Sequence, residues 1–403
     1  MSSTHLLKHA MRVGIFALAA SLGGAGIILA RDDDDDDRDR DRERPPQVLK
    51  QGFESTDQLL DDIDRAERGP KHSVWIVESS RFMNVPHRAF MPDVGDPPFV
   101  DLPVNIGIIK APNGDITLYD AGWKQLAYIF DWNTSCCWAA IRSQMRAIGL
   151  DPNRVVRIIA GHAHWDHSGQ LSEFPNAVLY VQKEELKQID FFLDYPTRFN
   201  GGHIRAVNTV DPLTGAQVGP PAQACARSPV CGYPPQTVQE ILGKLLAGKA
   251  RVIDGRHEVA PGMIIHPAFR GHTYGSQLLQ VNTSRGQLVF GSDTYSSWTG
   301  IRDWFVANIQ QTDTIQQFLA YEKCYVLTSK RNSFHNCIAA HEPVSYTAAY
   351  PITSNWWNIP GGNCSRAAEL TLAEGEPTHV PATPDRTPPG QCVSVIPPHE
   401  IRP

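Results

Sequence analysis

Four side chains that can bind a metal fall within residues 162–167, and this stretch constrains the fold more than any other part of the 403-residue chain. It reads His-Ala-His-Trp-Asp-His and follows residues 155–160, a mostly apolar, β-branched run that predicts a buried strand. Alternate side chains of an extended backbone point the same way, so His162 and His164 can face one ion. Asp166 and His167 follow in a tight loop and can face the opposite side. Two such ligand sets suit two metal ions roughly 3.5–4 Å apart.

The His-x-His-x-Asp-His spacing at 162–167 resembles the signature of the metallo-β-lactamase superfamily. The resemblance implies an αββα sandwich with a two-metal site at one edge. It also implies a third histidine, a bridging aspartate and a last histidine farther along the chain. Candidates occur in that order, each at or near the end of a predicted strand: His272, Asp293 and His341.

By this resemblance, two metal sites are expected to share one carboxylate. The first is expected to take His162, His164 and His272, the second Asp166, His167 and His341, with Asp293 bridging them. Neutral imidazole and carboxylate donors favour zinc, with manganese, cobalt or iron as alternatives, so two divalent ions, zinc above all, are the expected cofactors. A water shared by two cations loses its proton near neutral pH. The expected reaction is therefore attack by a metal-bridging hydroxide, with Asp166 helping to protonate the leaving oxygen.

Within the superfamily, the chain resembles the N-acyl-homoserine lactonase branch over roughly residues 72–345. Asp293 precedes His341 by 48 positions, as in that branch, and the Gly-His-Thr-x-Gly-Ser pattern at 271–276 is also similar. A strand ending in Asp-x-Gly packs beside the metal site in this superfamily, so Asp120 is expected to orient the histidine loop. These lactonases carry a Tyr three positions after the bridging Asp, where this chain has Ser296. Tyr295, two positions on, is the candidate for binding the substrate carbonyl; the alternatives are that it packs beside the site or that the metal alone holds the oxygen.

The predicted function is an exported two-metal hydrolase that opens a small-molecule lactone or related ester. The alternatives are a β-lactam hydrolase, although those enzymes usually lack the aspartate that Asp293 supplies, and an iron-dependent oxidoreductase of the same fold. The formal net charge is −6 and no basic stripe occurs, which disfavours a nucleic-acid partner. The sequence does not predict an oligomeric state.

The N-terminus is typical of an export signal, since Lys8 and Arg12 precede an apolar run at 13–30. Cleavage is expected after Ala19 or Ala30, because small residues are frequent there. The run is also long enough to serve as an uncleaved anchor. The chain is thus expected to be periplasmic or secreted, with membrane contact only if residues 1–30 stay attached.

Eight cysteines fit an oxidising compartment and predict disulfides, and no C-x₂-C spacing indicates a metal site. The candidate pairs are Cys225 with Cys231, Cys364 with Cys392, Cys324 with Cys337 and, with strain, Cys136 with Cys137.

The predicted organisation has four parts. Residues 31–70 are expected to be an acidic disordered linker followed by a lead-in with Leu59, Leu60 and Ile63 at helical spacing. The metallo-hydrolase domain is predicted at 71–350, with a Gly- and Pro-rich insertion at about 194–250 that is expected to cap the site, the alternative being a plain surface loop. Residues 351–403 are expected to form an irregular tail. Strands are predicted at 74–77, 104–109, 116–119, 155–160, 177–181, 251–253, 263–265, 276–281, 287–290 and 338–340, and helices at 139–148, 184–192, 237–246 and 312–323.

Overall fold

Two β-sheets packed face to face form the centre of the fold. The computed structural model describes residues 54–91, 98–124, 135–136, 138–194, 232–233, 235–306, 312–331, 334–342, 356–362 and 365–386. The predicted export signal, the acidic run, most of the insertion and at least one member of three candidate cysteine pairs lie outside these residues. No helix in the described ranges combines the length and the apolar character needed to cross a bilayer.

The described residues form fourteen strands and eight α-helices. The strands are β1 (Ser73–Pro86), β2 (Phe99–Lys110), β3 (Ile116–Tyr119), β4 (Ser135–Cys136), β5 (Val155–Ile159), β6 (Val178–Gln182), β7 (Ala250–Ile253), β8 (His257–Ala260), β9 (Met263–Pro267), β10 (Gln277–Thr283), β11 (Gly286–Phe290), β12 (Cys337–Ile338), β13 (Trp356–Asn358) and β14 (Arg366–Thr371). The helices are α1 (Thr56–Glu67), α2 (His87–Phe90), α3 (Ile141–Ala147), α4 (Trp165–Ser168), α5 (Lys183–Asp194), α6 (Pro235–Leu246), α7 (Trp298–Asp303) and α8 (Thr314–Leu327).

The first sheet has the order β13-β14-β1-β2-β3-β5-β6-β7, with β4 paired to β1. Its strands are antiparallel from β13 to β3 and parallel from β3 to β7. The second sheet has the order β12-β11-β10-β9-β8. Because β3 and β5 are parallel neighbours, the residues that follow them emerge at the same edge of the first sheet. This edge carries Asp120 and the histidine loop.

Side chains of β1 show why the sheets pack as they do. Val74 and Ile76 point between the two sheets, whereas Trp75 and Val77 point to the other face of the first sheet. Both faces are covered, since the outer one packs against apolar residues of α3 and α6 such as Met145. Successive strand residues point to opposite faces, so a strand buried on both sides is apolar throughout.

The second sheet is covered on its outer face by α1 and α8. Leu59 and Ile63 of α1 pack with Tyr321 and Leu327 of α8. The order helix, sheet, sheet, helix confirms the predicted αββα sandwich. The predicted lead-in is a helix with a capping box at Ser55.

Residues 351–403 were expected to be irregular, and this prediction is wrong for part of them. Strands β13 and β14 extend the first sheet beyond β1, and Trp357 is fully buried. Strand β1 would otherwise have an unpaired edge, which β14 covers through main-chain hydrogen bonds.

A disulfide between Cys324 and Cys337 joins α8 to β12, with Cα atoms 6.0 Å apart. This pairing was one of the sequence-based candidates and is confirmed.

Candidate metal centre

The histidine loop begins where β5 ends. Its turn requires a glycine, because a Cβ on Gly161 would lie 2.4 Å from Cβ of Ser292 and 2.6 Å from the hydroxyl oxygen of Tyr119. The Gly161 amide donates to Oδ1 of Asp120 at 2.7 Å. The backbone of the loop is thus fixed against both sheets before any ligand side chain is considered.

The other predicted ligands follow strands of the second sheet. His272 lies between β9 and β10, Asp293 follows β11, and His341 follows β12. The structure brings all seven predicted side chains together at one edge of the sandwich, and each is at most 7% exposed. They divide into two overlapping groups whose ligand atoms lie within 4.8 Å of one another.

Group one consists of His162, His164, His272 and Asp293. Nε2 of His272 lies 3.1 Å from Nδ1 of His164 and 3.3 Å from Oδ2 of Asp293. Nε2 of His162 lies 3.9 Å from the same carboxylate oxygen. Three imidazole nitrogens and one carboxylate oxygen therefore converge on one point, as in tetrahedral zinc sites.

Group two consists of Asp166, His167, His341 and Asp293. Oδ1 of Asp293 lies 3.0 Å from Nε2 of His167 and 2.9 Å from Nε2 of His341. Oδ2 of Asp166 lies 3.3 Å and 3.5 Å from the same two nitrogens. Asp293 thus turns one oxygen to each group, which is the geometry that a bridging ligand needs.

A family-wide sequence model, that of the metallo-beta-lactamase superfamily, matches residues 100–314, which is more than half of the chain. The chain belongs to this superfamily. His341 lies beyond the matched range, but the fold delivers it to group two.

Curated relatives are similar over a shorter region. The N-acyl homoserine lactonase AttM of Azorhizobium caulinodans is 31% identical over 120 residues, which cover 26% of this chain and 43% of that protein. AttM of Agrobacterium fabrum is 37% identical over 65 residues, 15% of this chain and 22% of that protein. The chain therefore matches less than half the length of these relatives.

Solved structures are similar at low identity. A quorum-quenching N-acyl homoserine lactone lactonase is 15% identical with a TM-score of 0.47, covering 70% of this chain and 95% of that one. AidC, a dizinc quorum-quenching lactonase, is 17% identical with a TM-score of 0.46, covering 68% of this chain and 89% of that one.

The donor atoms of this superfamily member fit divalent metal ions. Nε2 of His162, Nε2 of His167 and Oδ1 of Asp293 are buried and form no hydrogen bond within the described part of the chain. Buried polar atoms normally have partners, because leaving them without one costs about 1–3 kcal/mol. Cations between the two groups would satisfy these atoms.

The pKa values in the metallo-β-lactamase site differ between its two halves. Burial lowers the pKa of His164 to about 3 and that of His272 to about 4, so both are neutral donors at pH 7. Burial also lowers the pKa of His167 and of His341, but Asp166 and Asp293 outweigh it and leave both pKa values raised. Group two therefore attracts positive charge, and a bound cation would displace protons from it.

Asp120 and Ser292 contact the Nδ1 atoms of two ligand histidines, His167 and His162. Oδ2 of Asp120 lies 2.8 Å from Nδ1 of His167 and accepts a hydrogen bond from the Ser292 hydroxyl at 2.8 Å. That hydroxyl lies 3.0 Å from Nδ1 of His162. Asp120 and Ser292 have φ values of 67° and 48°, a region that non-glycine residues rarely adopt. The structure thus places Asp120 where the Asp-x-Gly pattern predicts it, whereas sequence reasoning missed Ser292.

The proposed role of Tyr295 in binding substrate is wrong. Its ring packs with α8 in the core outside the second sheet and has no exposed surface. Its hydroxyl donates to the Ala320 carbonyl at 2.5 Å. Residues Ser292–Tyr295 form a turn of 3₁₀ helix, which directs Tyr295 away from the metal groups. Ser296, at the position expected for the tyrosine, donates its hydroxyl to the Asp293 carbonyl.

A third group of possible ligands, Glu54, Asp62 and His266, lies apart from this edge. Nζ of Lys323 is 3.1 Å from Oε2 of Glu54, and Arg256 forms a two-pronged hydrogen bond with Asp62. These two cations already balance the two carboxylates. The group is an ion-pair network that attaches α1 to the body, and no local sequence pattern predicts it.

Proposed function

We propose that this chain is a zinc-dependent hydrolase that opens a lactone or a related ester. The observation that carries the proposal is the pair of buried donor groups that share Asp293. Zinc suits the donors, because imidazole nitrogen and carboxylate oxygen with tetrahedral convergence are its usual environment. The local identity to proteins named N-acyl homoserine lactonase supports the substrate class.

Two bound divalent ions would supply Lewis acidity, which lowers the pKa of a water and polarises a carbonyl oxygen. The residues of the chain then have separate tasks. Burial raises the pKa of Asp166, but His167 outweighs it, so the pKa is lowered and the carboxylate is ionised at neutral pH. Because Asp166 lies within group two, beside the position of the reacting water, we assign to it the transfer of a proton to the leaving oxygen. With Tyr295 in the core, no tyrosine at that position contacts the substrate carbonyl.

Aromatic side chains beside group two form a wall for the apolar part of a substrate. The half-buried ring of Phe82 lies 6.0 Å from the His341 ring and 5.6 Å from the Trp165 ring, measured between centroids. Trp165 in turn meets Trp123 edge to face at 4.9 Å. We propose that Phe82, which is half-buried and backed by the two buried tryptophans, contacts an apolar acyl group of the substrate.

The test is a substrate panel on the full chain loaded with zinc. The panel contains N-acyl homoserine lactones, simple lactones, aryl esters and β-lactams, with product detected by mass. We expect ring opening of lactones in wild type and its loss in His164→Ala and His341→Ala, while His257→Ala, on β8, retains it. Turnover that survives complete metal removal, or no turnover of any lactone or ester, would overturn the proposal. Hydrolysis of β-lactams alone would favour the alternative function.

We further propose that the chain is exported. The apolar run at 13–30 and the Cys324–Cys337 disulfide support this, since disulfides persist in oxidising compartments. Fractionation of cells that express the full chain tests it, and recovery of the whole pool with the cytosol would contradict it.

A further inference from the structure

Gly232 and Tyr233, which precede α6, lie directly against group one. The Gly232 carbonyl accepts a hydrogen bond from the Trp165 amide at 2.9 Å. A Cβ on Gly232 would lie 1.9 Å from Cδ2 of His164, so only glycine fits there. The Tyr233 ring meets the His164 ring edge to face, with centroids 4.9 Å apart. Residues 232 and 233 therefore form one side of the pocket that holds His164.

Glu185, on α5, fixes this arrangement. Its side chain is fully buried, and Oε1 accepts hydrogen bonds from the Tyr233 hydroxyl and the Ala163 amide, both at 2.7 Å. Oε2 accepts from the Thr273 hydroxyl at 2.7 Å and from the Gly275 amide at 2.9 Å. One carboxylate thus connects the histidine loop, the loop after β9 and Tyr233.

The partners of Glu185 flank the histidines of group one. Ala163 lies between the first two of these histidines, and Thr273 directly follows the third. The histidines of group two are held elsewhere: Nδ1 of His167 contacts Asp120, and Nδ1 of His341 lies 2.8 Å from the Pro103 carbonyl oxygen. Glu185 therefore acts on one half of the centre.

We propose that Glu185 and Tyr233 are positioning residues that link the two loops carrying the histidines of group one. They fix the separation of its histidines and thereby set the affinity of group one, and not of group two, for a divalent ion. Neither residue needs to touch the ion, because each acts through the segments that carry the ligands. The inference rests on the metal-binding part of the proposed function and is independent of the substrate.

The test measures zinc affinity of the full chain by competition with a chelating dye, without substrate. His341→Ala removes a ligand of group two and leaves group one, whereas His272→Ala leaves group two. In the His341→Ala background, we expect Glu185→Gln to weaken zinc binding by about tenfold to a hundredfold, as for other groups that orient metal ligands. Tyr233→Phe, which removes one hydrogen bond, should weaken it by about threefold to tenfold. In the His272→Ala background, both should change affinity by less than about twofold.

Matched controls separate positioning from general damage. Glu369→Gln alters a buried carboxylate on β14 that accepts bonds from the Trp75 indole and the His379 amide. Tyr321→Phe removes a buried hydroxyl that donates to the Phe305 carbonyl. Neither should change zinc affinity in either background.

The zinc affinities in the two backgrounds support or contradict the proposal as follows. Equal losses in both backgrounds, or none in either, would overturn the proposal. If Glu185→Gln does not fold, Tyr233→Phe alone decides it. A wild type that binds two zinc ions but opens no lactone would defeat the proposed substrate class and leave this inference standing. A wild type that binds no divalent ion would defeat both.

Discussion

Replacing Glu54 by glutamine tests whether the ion-pair network beneath α1 stabilises the sandwich. Burial alone would raise the pKa of Glu54, but His266 and Lys323 outweigh it and lower the pKa from 4.5 to about 2. The shift is worth about 3 kcal/mol of unfolding free energy at neutral pH. Burial also lowers the pKa of Lys323 despite the nearby carboxylate, so this figure is the upper limit for the whole network.

The sign of the pH dependence follows from the direction of the shift. The folded-state pKa of Glu54 is below the unfolded-state value, so the stabilisation is complete above about pH 5.5 and decreases as the pH falls through 4.5 towards 2. Roughly half of it should remain near pH 3. Glutamine resembles the protonated acid at every pH. The variant should therefore be less stable than wild type by up to about 3 kcal/mol at pH 7, and the difference should shrink on acidification.

Urea unfolding of the chelator-treated full chain at several pH values between about 3 and 7 measures this difference. Glu322→Gln, an exposed change on the same helix as Lys323, is the control and should cost less than about 0.5 kcal/mol. A destabilisation by Glu54→Gln that is the same at every pH, or that is below about 1 kcal/mol at pH 7, would refute the reasoning.

Three further predictions concern the metal centre and the disulfide. Removing metal from the zinc-loaded chain should lower its unfolding free energy. When the loaded sample contains free zinc at a hundred times Kd, the expected decrease is about 3 kcal/mol. A melting temperature unchanged by chelator and by re-added zinc would contradict this. Ser292→Ala should lower zinc affinity or turnover by about tenfold, because the Nδ1 atom of His162 loses its hydrogen-bonded link to Asp120. Zinc titration and initial-rate measurements test this prediction, and wild-type values of both quantities would contradict it. Cys324→Ser should cost about 3 kcal/mol, since the disulfide with Cys337 spans 13 residues. Melting curves of wild type and of Cys324→Ser, both without reductant, measure this cost, and their coincidence would contradict the estimate.

Four of the metal ligands were predictable from the sequence because they lie close together, within residues 162–167. The strand at 116–119 and the loop that starts at Gly161 both follow from short runs of apolar residues and glycine. The family resemblance implies the distant ligands, and His272, Asp293 and His341 match it because each follows a strand whose end reaches the same edge of the sandwich.

What the sequence did not reveal depends on tertiary contacts. Strand β14 carries charged and alanine residues with little strand preference, and it forms because β1 offers an edge almost three hundred positions earlier in the chain. The orientation of Tyr295 depends on the left-handed backbone at Ser292, which no local pattern encodes. Glu185 and Tyr233 lie in a helix and in a Gly- and Pro-rich segment whose meeting point only the folded chain defines.

Each donor group takes side chains from both sheets. His162 and His164 follow a strand of the first sheet, whereas His272 and Asp293 follow strands of the second. An ion held there joins the two halves of the sandwich, and its loss would ease their separation and admit proteases to the interior. Scarcity of divalent ions would then reduce how much of the protein survives, and not only how fast each surviving copy works.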